Sequence, residues 1–136
     1  MLATLDTVIP ELEGLTLLAD CSRRRVGAVI TLGRDIVGRG SNSLPLGSCL
    51  GGDCPRGRMT YEEQPKDVGY AASGCTSIHA EVAAIREAGL LAGPGAALWV
   101  TEQPCPDCKE AIAESGIFRV IRVDLATQRV FLPVNV

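Results

Sequence analysis

The chain has 136 residues, a formal net charge of −3, 46% hydrophobic residues and 21% charged residues. This length and composition predict a single globular domain over residues 1–136 that buries a core of its own. Proteins that bind long nucleic acids normally present a basic face, so the negative net charge of this chain argues against that class of protein. No apolar run approaches the roughly 18 residues that a membrane-spanning helix requires, so we expect no membrane insertion.

The first stretch of the chain bears on the cellular compartment. It carries Asp6, Glu11 and Glu13 and lacks a basic segment followed by an apolar block. A secretion signal needs that arrangement, so we expect a cytoplasmic protein. In a reducing compartment the six cysteines indicate metal binding or catalysis rather than a disulfide framework.

The first predicted elements are a helix and a β-hairpin. Residues 4–19 carry a helical stripe of leucines, with interruptions expected near Pro10 and Gly14. The apolar, β-branched residues 25–32 and the residues 36–41 predict two strands joined by a Gly-Arg-Asp turn.

The segment after the hairpin, residues 41–76, contains Gly, Pro, Ser and Cys but no sustained hydrophobic period. Connections in compact domains are typically about 4–6 residues long, and this segment is far longer. It is therefore predicted to be functional, fixed by a cross-link, or disordered. It contains Cys49, Cys54 and Cys75.

Helix and strand patterns alternate in the second half of the chain. A helix is predicted over about residues 79–88, with Val82 and Ile85 facing inward and Gly89 as its C-terminal cap. The apolar residues 96–102 then predict a buried strand.

The last predicted elements are a helix and two strands. Residues 106–115 predict a helix closed by Gly116, and residues 117–124 predict a strand. A final strand at 128–134 follows too closely for a crossover helix, so it must be antiparallel or absent. The alternation predicts an α/β fold, a three-layer α/β/α sandwich with a mixed sheet of about five strands.

Cys105, Pro106 and Cys108 form one half of a predicted metal site. Pro106 favours an extended backbone at Cys105 and suits the first position of a helix, which places Cys105 at the N-cap. Cys108 lies three residues further along the same helix face, so both sulfurs point to one centre. The helix N-terminus stabilises them as thiolates.

His79 and Glu81 form the other half of the predicted site. His79 is the only histidine in the chain, and with two cysteines it gives three protein ligands for tetrahedral zinc. A fourth position left to water is typical of a catalytic zinc, and Glu81 is close enough to shuttle a proton. Each motif alone also occurs in redox pairs, in zinc ribbons or by chance. Together they indicate a catalytic site at the sheet edge where both helices begin.

The sequence HAE followed by PCPDC resembles the zinc-dependent cytidine and deoxycytidylate deaminase superfamily. The stretches RRRVGAVI, CLGGDCPRGR and GCTSIHAE are similar to those of bacterial and phage deoxycytidylate deaminases. This resemblance implies a cytidine-deaminase-like fold, a catalytic Zn²⁺ bound by His79, Cys105 and Cys108, and assembly into a homo-oligomer.

The same resemblance implies hydrolytic deamination of deoxycytidylate to deoxyuridylate, with release of ammonia, by a zinc-activated water and Glu81 as the proton shuttle. Asn42 and Ala80 are expected at the substrate, although the usual Gly-Tyr-Asn-Gly of the family is Gly-Ser-Asn-Ser around Asn42. Arg25, Arg56 and Arg58 are expected near its phosphate.

Two alternative substrate classes stay open. One is a polynucleotide, either single-stranded DNA or RNA, which the acidic balance and the low aromatic content disfavour. The other is a different small base or nucleoside.

The four cysteines outside the catalytic set leave open a second, structural zinc. Structural zinc normally has a closed set of four protein ligands. The candidate ligands are Cys21, Cys49, Cys54 and Cys75.

Overall fold

A computed structural model describes residues 5–18, 25–42 and 79–132 of the chain. Three α-helices, a single 3₁₀ turn and five strands make up these residues. In chain order they are α1 (Leu5–Leu18), β1 (Gly27–Leu32), β2 (Asp35–Ser41), α2 (Ala80–Ala88), the 3₁₀ turn (Gly89–Leu91), β3 (Ala96–Val100), α3 (Pro106–Ser115), β4 (Arg119–Asp124) and β5 (Arg129–Phe131). None of the helices in these ranges has both the length and the apolar character needed to span a membrane.

The five strands form one mixed sheet in the order β2-β1-β3-β4-β5. Strands β3 and β4 are parallel and are joined through α3, whereas the other neighbouring strands are antiparallel. The last strand is antiparallel, as its short connection to β4 requires. The predicted mixed sheet of about five strands is confirmed.

Helices cover both faces of the sheet and give the predicted three layers. Side chains alternate between the faces along each strand, so each strand contributes to two cores. One core lies under α1 and the other lies under α2 and α3. The α1 core includes Val8, Leu12, Val29, Trp99 and Val123, and the core on the opposite face includes Ile30, Ala84, Leu98, Ile112 and Val120.

Helix α1 is continuous, whereas the sequence predicted interruptions near Pro10 and Gly14. Pro10 lies in the second turn, where its missing N–H removes only the hydrogen bond to the carbonyl of Asp6. Val8 and Leu12 are fully buried on either side of it. Packing of this face on the sheet therefore outweighs the local cost of the proline.

The fully buried apolar residues of α2 are small, whereas the sequence predicted that Val82 and Ile85 face inward. Ala80, Ala84 and Ala88 are buried, and Ile85 is partly buried and packs against the same core, as predicted. Val82 is only partly buried. The reason lies in β2, where two glycines let the helix backbone approach the strand closely. A Cβ atom at Gly40 would overlap the Ala80 carbonyl oxygen, and one at Gly38 would overlap that of Ala84.

We predict that Gly40→Ala strongly destabilises the protein, because the added methyl group meets backbone atoms that cannot rotate away. Besides the Ala80 carbonyl it would lie 2.7 Å from the Ala84 nitrogen. Overpacking a core typically costs about 1–3 kcal/mol, and we expect the loss in the free energy of unfolding to reach at least the upper end of that range. Urea denaturation measures it.

Gly14→Ala is the matched control for Gly40→Ala. It makes the same chemical change in α1, where a Cβ atom has no neighbour within 4 Å. Alanine is a better helix former than glycine, by about 0.5–1 kcal/mol, so this variant is expected to gain stability. Equal effects of the two substitutions would contradict the close approach of α2 to β2.

Candidate active site

His79 occupies the N-cap of α2, where the backbone turns from an extended conformation (φ −76°, ψ 151°) into the helix. Its side chain forms no capping hydrogen bond to the helix. Instead, its Nδ1 atom lies 2.9 Å from the Cys108 sulfur and 3.3 Å from the Cys105 sulfur. Helix α2 runs antiparallel to β2, so its start lies beside Gly40, near the end of that strand.

Cys105 and Cys108 lie at the start of α3, just beyond the end of β3. Cys105 is the N-cap, with an extended backbone (φ −76°, ψ 169°), and Pro106 takes the first helical position. Cys108 is in the first turn and is almost fully buried. Both helices therefore begin at the edge of the sheet where β3 and β4 end, which we call the carboxyl edge.

The three side chains fit a zinc ion. Their ligand atoms, one nitrogen and two sulfurs, all lie within 4.8 Å of one another. Zinc bonds of about 2.3 Å to sulfur and about 2.0 Å to nitrogen at tetrahedral angles would hold the same atoms roughly 3.5–3.8 Å apart. The two nitrogen–sulfur distances, 2.9 and 3.3 Å, are somewhat shorter than this, so the three soft or borderline donors converge closely enough to bind one zinc ion after a small outward adjustment.

Cys105 and Cys108 shift each other's pKa in opposite directions. The hydrogen bond with the Cys108 thiol is the main cause that lowers the pKa of Cys105 to about 4, and the contact with His79 adds to this effect. The same hydrogen bond, together with burial, raises the pKa of Cys108. A metal binds cysteine as thiolate, so a metal that binds both sulfurs must displace the proton that the raised pKa favours on Cys108.

His79 and Glu81 are also shifted by their surroundings. Burial lowers the pKa of His79, but the hydrogen bond to Cys105 and the charges of nearby acidic groups outweigh it, so the net pKa is raised. Glu81 is only 4% exposed, and burial raises its pKa. Cys108 and the charge of His79 are among the neighbours that partly offset this rise, so the carboxyl group lies close to the His/Cys/Cys group.

The other predicted substrate residues lie at different distances from this centre. Ala80 follows His79 and is fully buried. Asn42 is buried at the end of β2, where its Oδ1 atom accepts a 2.8 Å hydrogen bond from the Val26 nitrogen. Arg25 precedes Val26 at the carboxyl edge. Six candidates lie outside the described residues: Arg56, Arg58, Cys21, Cys49, Cys54 and Cys75.

A cavity of about 390 Å³ opens at the carboxyl edge. Arg25 lines it together with Thr101, Glu102, Arg122 and Asp124. The sequence analysis did not single out Arg122. Alternation places Arg122 on the same sheet face as the buried Val120.

The comparison with protein families shows which family the chain belongs to. Residues 10–123 match the family described as the cytidine and deoxycytidylate deaminase zinc-binding region. The chain belongs to this deaminase family. The resemblance inferred from HAE and PCPDC is thereby confirmed, and the protein is a zinc-dependent hydrolytic deaminase.

Individual deaminases match the chain with different sequence identities and over different shares of their own length. The deoxycytidylate deaminase of Mycobacterium phage D29 is 37% identical over 103 residues, which cover 76% of this chain and 80% of that protein. The deoxycytidylate deaminase of Schizosaccharomyces pombe is 33% identical over 106 residues and matches over only 31% of its own length.

A solved structure also shares the fold. The crystal structure of the dCMP deaminase from cyanophage S-TIM5 in complex with dCMP and dUMP aligns with a TM-score of 0.58. It is 22% identical in sequence, and the alignment covers 85% of this chain and 76% of that one. The single domain, the cytoplasmic location and the homo-oligomer expected of this deaminase stay predictions.

Proposed function

We propose that this deaminase hydrolyses deoxycytidylate to deoxyuridylate and ammonia. The observation that carries the proposal is the buried Glu81 carboxylate beside a histidine and two cysteines at zinc spacing. The deoxycytidylate specificity is supported by the phage D29 relative, which matches most of both chains and bears that name.

His79, Cys105 and Cys108 are proposed to hold the zinc ion through Nδ1 and the two sulfurs. When bound, zinc lowers the pKa of a coordinated water toward neutrality and so supplies a nucleophile. The three protein ligands leave a fourth tetrahedral position for that water. Arrangements of this kind are catalytic rather than structural.

Glu81 is proposed to move protons between the attacking water and the substrate. Its carboxylate would accept one proton from water and deliver it to the N3 atom of cytosine, and would then take the second proton from the water-derived hydroxyl and donate it to the departing amino group. The 4-amino group leaves as ammonia, and a carbonyl oxygen derived from water takes its place. Burial suits Glu81 to this task, because its raised pKa favours a carboxyl group that both takes and gives a proton.

A substrate panel tests the proposed function and predicts a preference for the monophosphate. We expect ammonia release from deoxycytidylate, with kcat/KM at least about ten-fold above that for deoxycytidine, because a charge-assisted hydrogen bond to phosphate strengthens binding. Cytidine, cytidylate, guanine and single-stranded DNA complete the panel. Single-stranded DNA as the best substrate would favour the polynucleotide alternative, and equal values for deoxycytidine and deoxycytidylate would refute a phosphate contact.

A second, structural zinc bound among Cys21, Cys49, Cys54 and Cys75 is also proposed. It is supported by the number of cysteines left over from the catalytic set and by the position of three of them, Cys49, Cys54 and Cys75, in a long segment without hydrophobic period. Metal analysis of reduced protein is expected to give about two zinc ions per chain. One zinc per chain, unchanged in Cys49→Ser/Cys54→Ser, would contradict this proposal.

A further inference from the structure

Side-chain oxygens hold the start of β1 on both of its sides. Strand β1 lies between β2 and β3, and its first residues are at the carboxyl edge. On the β2 side, the Val26 nitrogen donates a 2.8 Å hydrogen bond to Oδ1 of Asn42. On the β3 side, the Gly27 nitrogen donates a 3.1 Å hydrogen bond to the hydroxyl of Thr101. The start of β1 is therefore a fixed point from which the neighbouring chain segments depart.

The Thr101 hydroxyl takes the place of a backbone carbonyl in the ladder between β1 and β3. The last paired residues are Ala28 and Val100, so the next pair in this register is Gly27 and Thr101. In such a pair each residue normally donates to the carbonyl of the other. The Thr101 nitrogen does donate to the Gly27 carbonyl at 3.1 Å, but the return bond goes to the Thr101 side chain. The Thr101 carbonyl is thereby released from the ladder, and the chain leaves the sheet at this residue.

The loop from Thr101 to Cys105 is short and stiff. Only three residues separate the two, and the last of them, Pro104, is buried. A proline fixes its own φ and favours an extended backbone at the residue before it. Pro104 restricts Gln103 in this way, and Pro106 restricts Cys105, whose backbone is indeed extended (φ −76°, ψ 169°). A displacement at Thr101 is therefore transmitted to Cys105 rather than absorbed within the loop.

The proposed zinc site depends on where this loop delivers α3. Cys105 and Cys108 both follow the loop, whereas His79 is held separately at the start of α2. The His79 Nδ1 atom lies 2.9 and 3.3 Å from the two sulfurs. Metal–ligand distances are tolerated only within about 0.2 Å of their ideal values, so a shift of α3 against α2 weakens zinc binding.

We propose that Thr101 is a positioning residue for the zinc site. Its hydroxyl fixes the start of the stiff loop that sets Cys105 and Cys108 against His79. In this role Thr101 acts through the loop and not through a bond to zinc. The inference rests on the proposed function, because it takes these three side chains as the zinc ligands.

The zinc affinity of Thr101 variants tests the inference without relying on turnover. Thr101→Val keeps the shape of the side chain and removes the acceptor for the Gly27 nitrogen. Chelator competition on folded protein gives the Kd of the zinc ion that Cys108→Ala fails to bind, so zinc bound elsewhere is not counted. Groups that orient metal ligands typically contribute about 10–100-fold to metal affinity, and we expect Thr101→Val to raise the Kd at least about ten-fold.

Two further variants at this position separate the hydroxyl from the rest of the side chain. Thr101→Ser keeps the hydroxyl, and its zinc Kd is expected within about three-fold of the wild-type value. Thr101→Ala removes the hydroxyl without the bulk of valine and is expected to raise the Kd as Thr101→Val does. It provides the same test if the valine variant does not fold.

Thr31→Val is the matched control, because it also removes a threonine hydroxyl that accepts a hydrogen bond in the sheet. The Thr31 hydroxyl accepts a 3.0 Å bond from Nε1 of Trp99, and Thr31 is only 4% exposed. It pairs with Ala97, toward the end of β3 that is farther from the cysteines. We expect a lower urea midpoint, because a buried donor loses its partner, and a zinc Kd within about two-fold of the wild-type value.

Three results would overturn the inference: a zinc Kd unchanged in Thr101→Val, an equal rise in Thr31→Val, or a Thr101→Ser protein that binds zinc as weakly as Thr101→Val. The expected pattern of zinc Kd values in protein that deaminates no deoxycytidylate would support the inference and refute the proposed activity.

Discussion

Replacing Glu81 with glutamine is expected to lower kcat for deoxycytidylate by about 10²–10⁴-fold while the protein keeps its zinc. The amide has nearly the same shape but cannot take a proton from water and pass it to cytosine. The side chain is 4% exposed, so bulk water does not readily replace it as a proton carrier. Ammonia release measures the activity, and elemental analysis of the folded variant measures the zinc.

Glu87→Gln is the control for this substitution. Glu87 lies on the same helix, α2, but is exposed, and it forms an ion pair with Arg39 at 4.0 Å. Activity close to that of the wild type is expected. Loss of zinc from folded Glu81→Gln would show that the carboxylate is a ligand, and near-normal activity with zinc bound would show that another group moves the proton.

Cys108→Ala and His79→Ala are expected to lose zinc. Each removes one of the three donors, and the sulfur of Cys108 and the Nδ1 atom of His79 are only 2.9 Å apart. Two remaining protein ligands do not complete a tetrahedral zinc site with a single open position. We expect less than stoichiometric zinc after dialysis, with loss of deaminase activity, measured by elemental analysis and ammonia release.

Asp107→Asn is the control for Cys108→Ala. It distinguishes the loss of a zinc ligand from a general disturbance at the start of α3. Asp107 is an exposed residue of the first turn, adjacent to Cys108, and its carboxylate is not among the three converging donors. This variant is expected to keep stoichiometric zinc. Full zinc and full activity in both Cys108→Ala and His79→Ala would place the metal elsewhere.

Local signals in the sequence were sufficient to predict most of the elements that position the site. Pro106 marked the start of α3 and Gly116 its end, where the backbone adopts a left-handed conformation (φ 84°) that glycine tolerates. Gly33, with φ 63°, likewise marked the turn between β1 and β2. These features depend on a few neighbouring residues, so a single sequence contains the information.

The features that were not predicted depend on residues distant in the chain. The buried alanine face of α2 follows from Gly38 and Gly40 on β2, which no periodicity within the helix reveals. The contact of Arg122 with Phe131 and the cavity assembled from separate strand ends likewise depend on residues far apart in the chain. Periodicity describes one element at a time, whereas these contacts arise only when the sheet forms.

The placement of the proposed zinc donors on two helices has a consequence for the unfolded chain. His79 and Cys105 are separated by 26 positions, so an ion that binds both closes a loop that includes α2 and β3. The unfolded chain rarely brings these donors together, because closing such a loop costs conformational entropy. Free zinc therefore acts as a reversible cross-link that favours the folded state, worth about 4 kcal/mol when its concentration is 1,000 times Kd. The melting temperature should accordingly rise with zinc concentration and fall when a chelator is added.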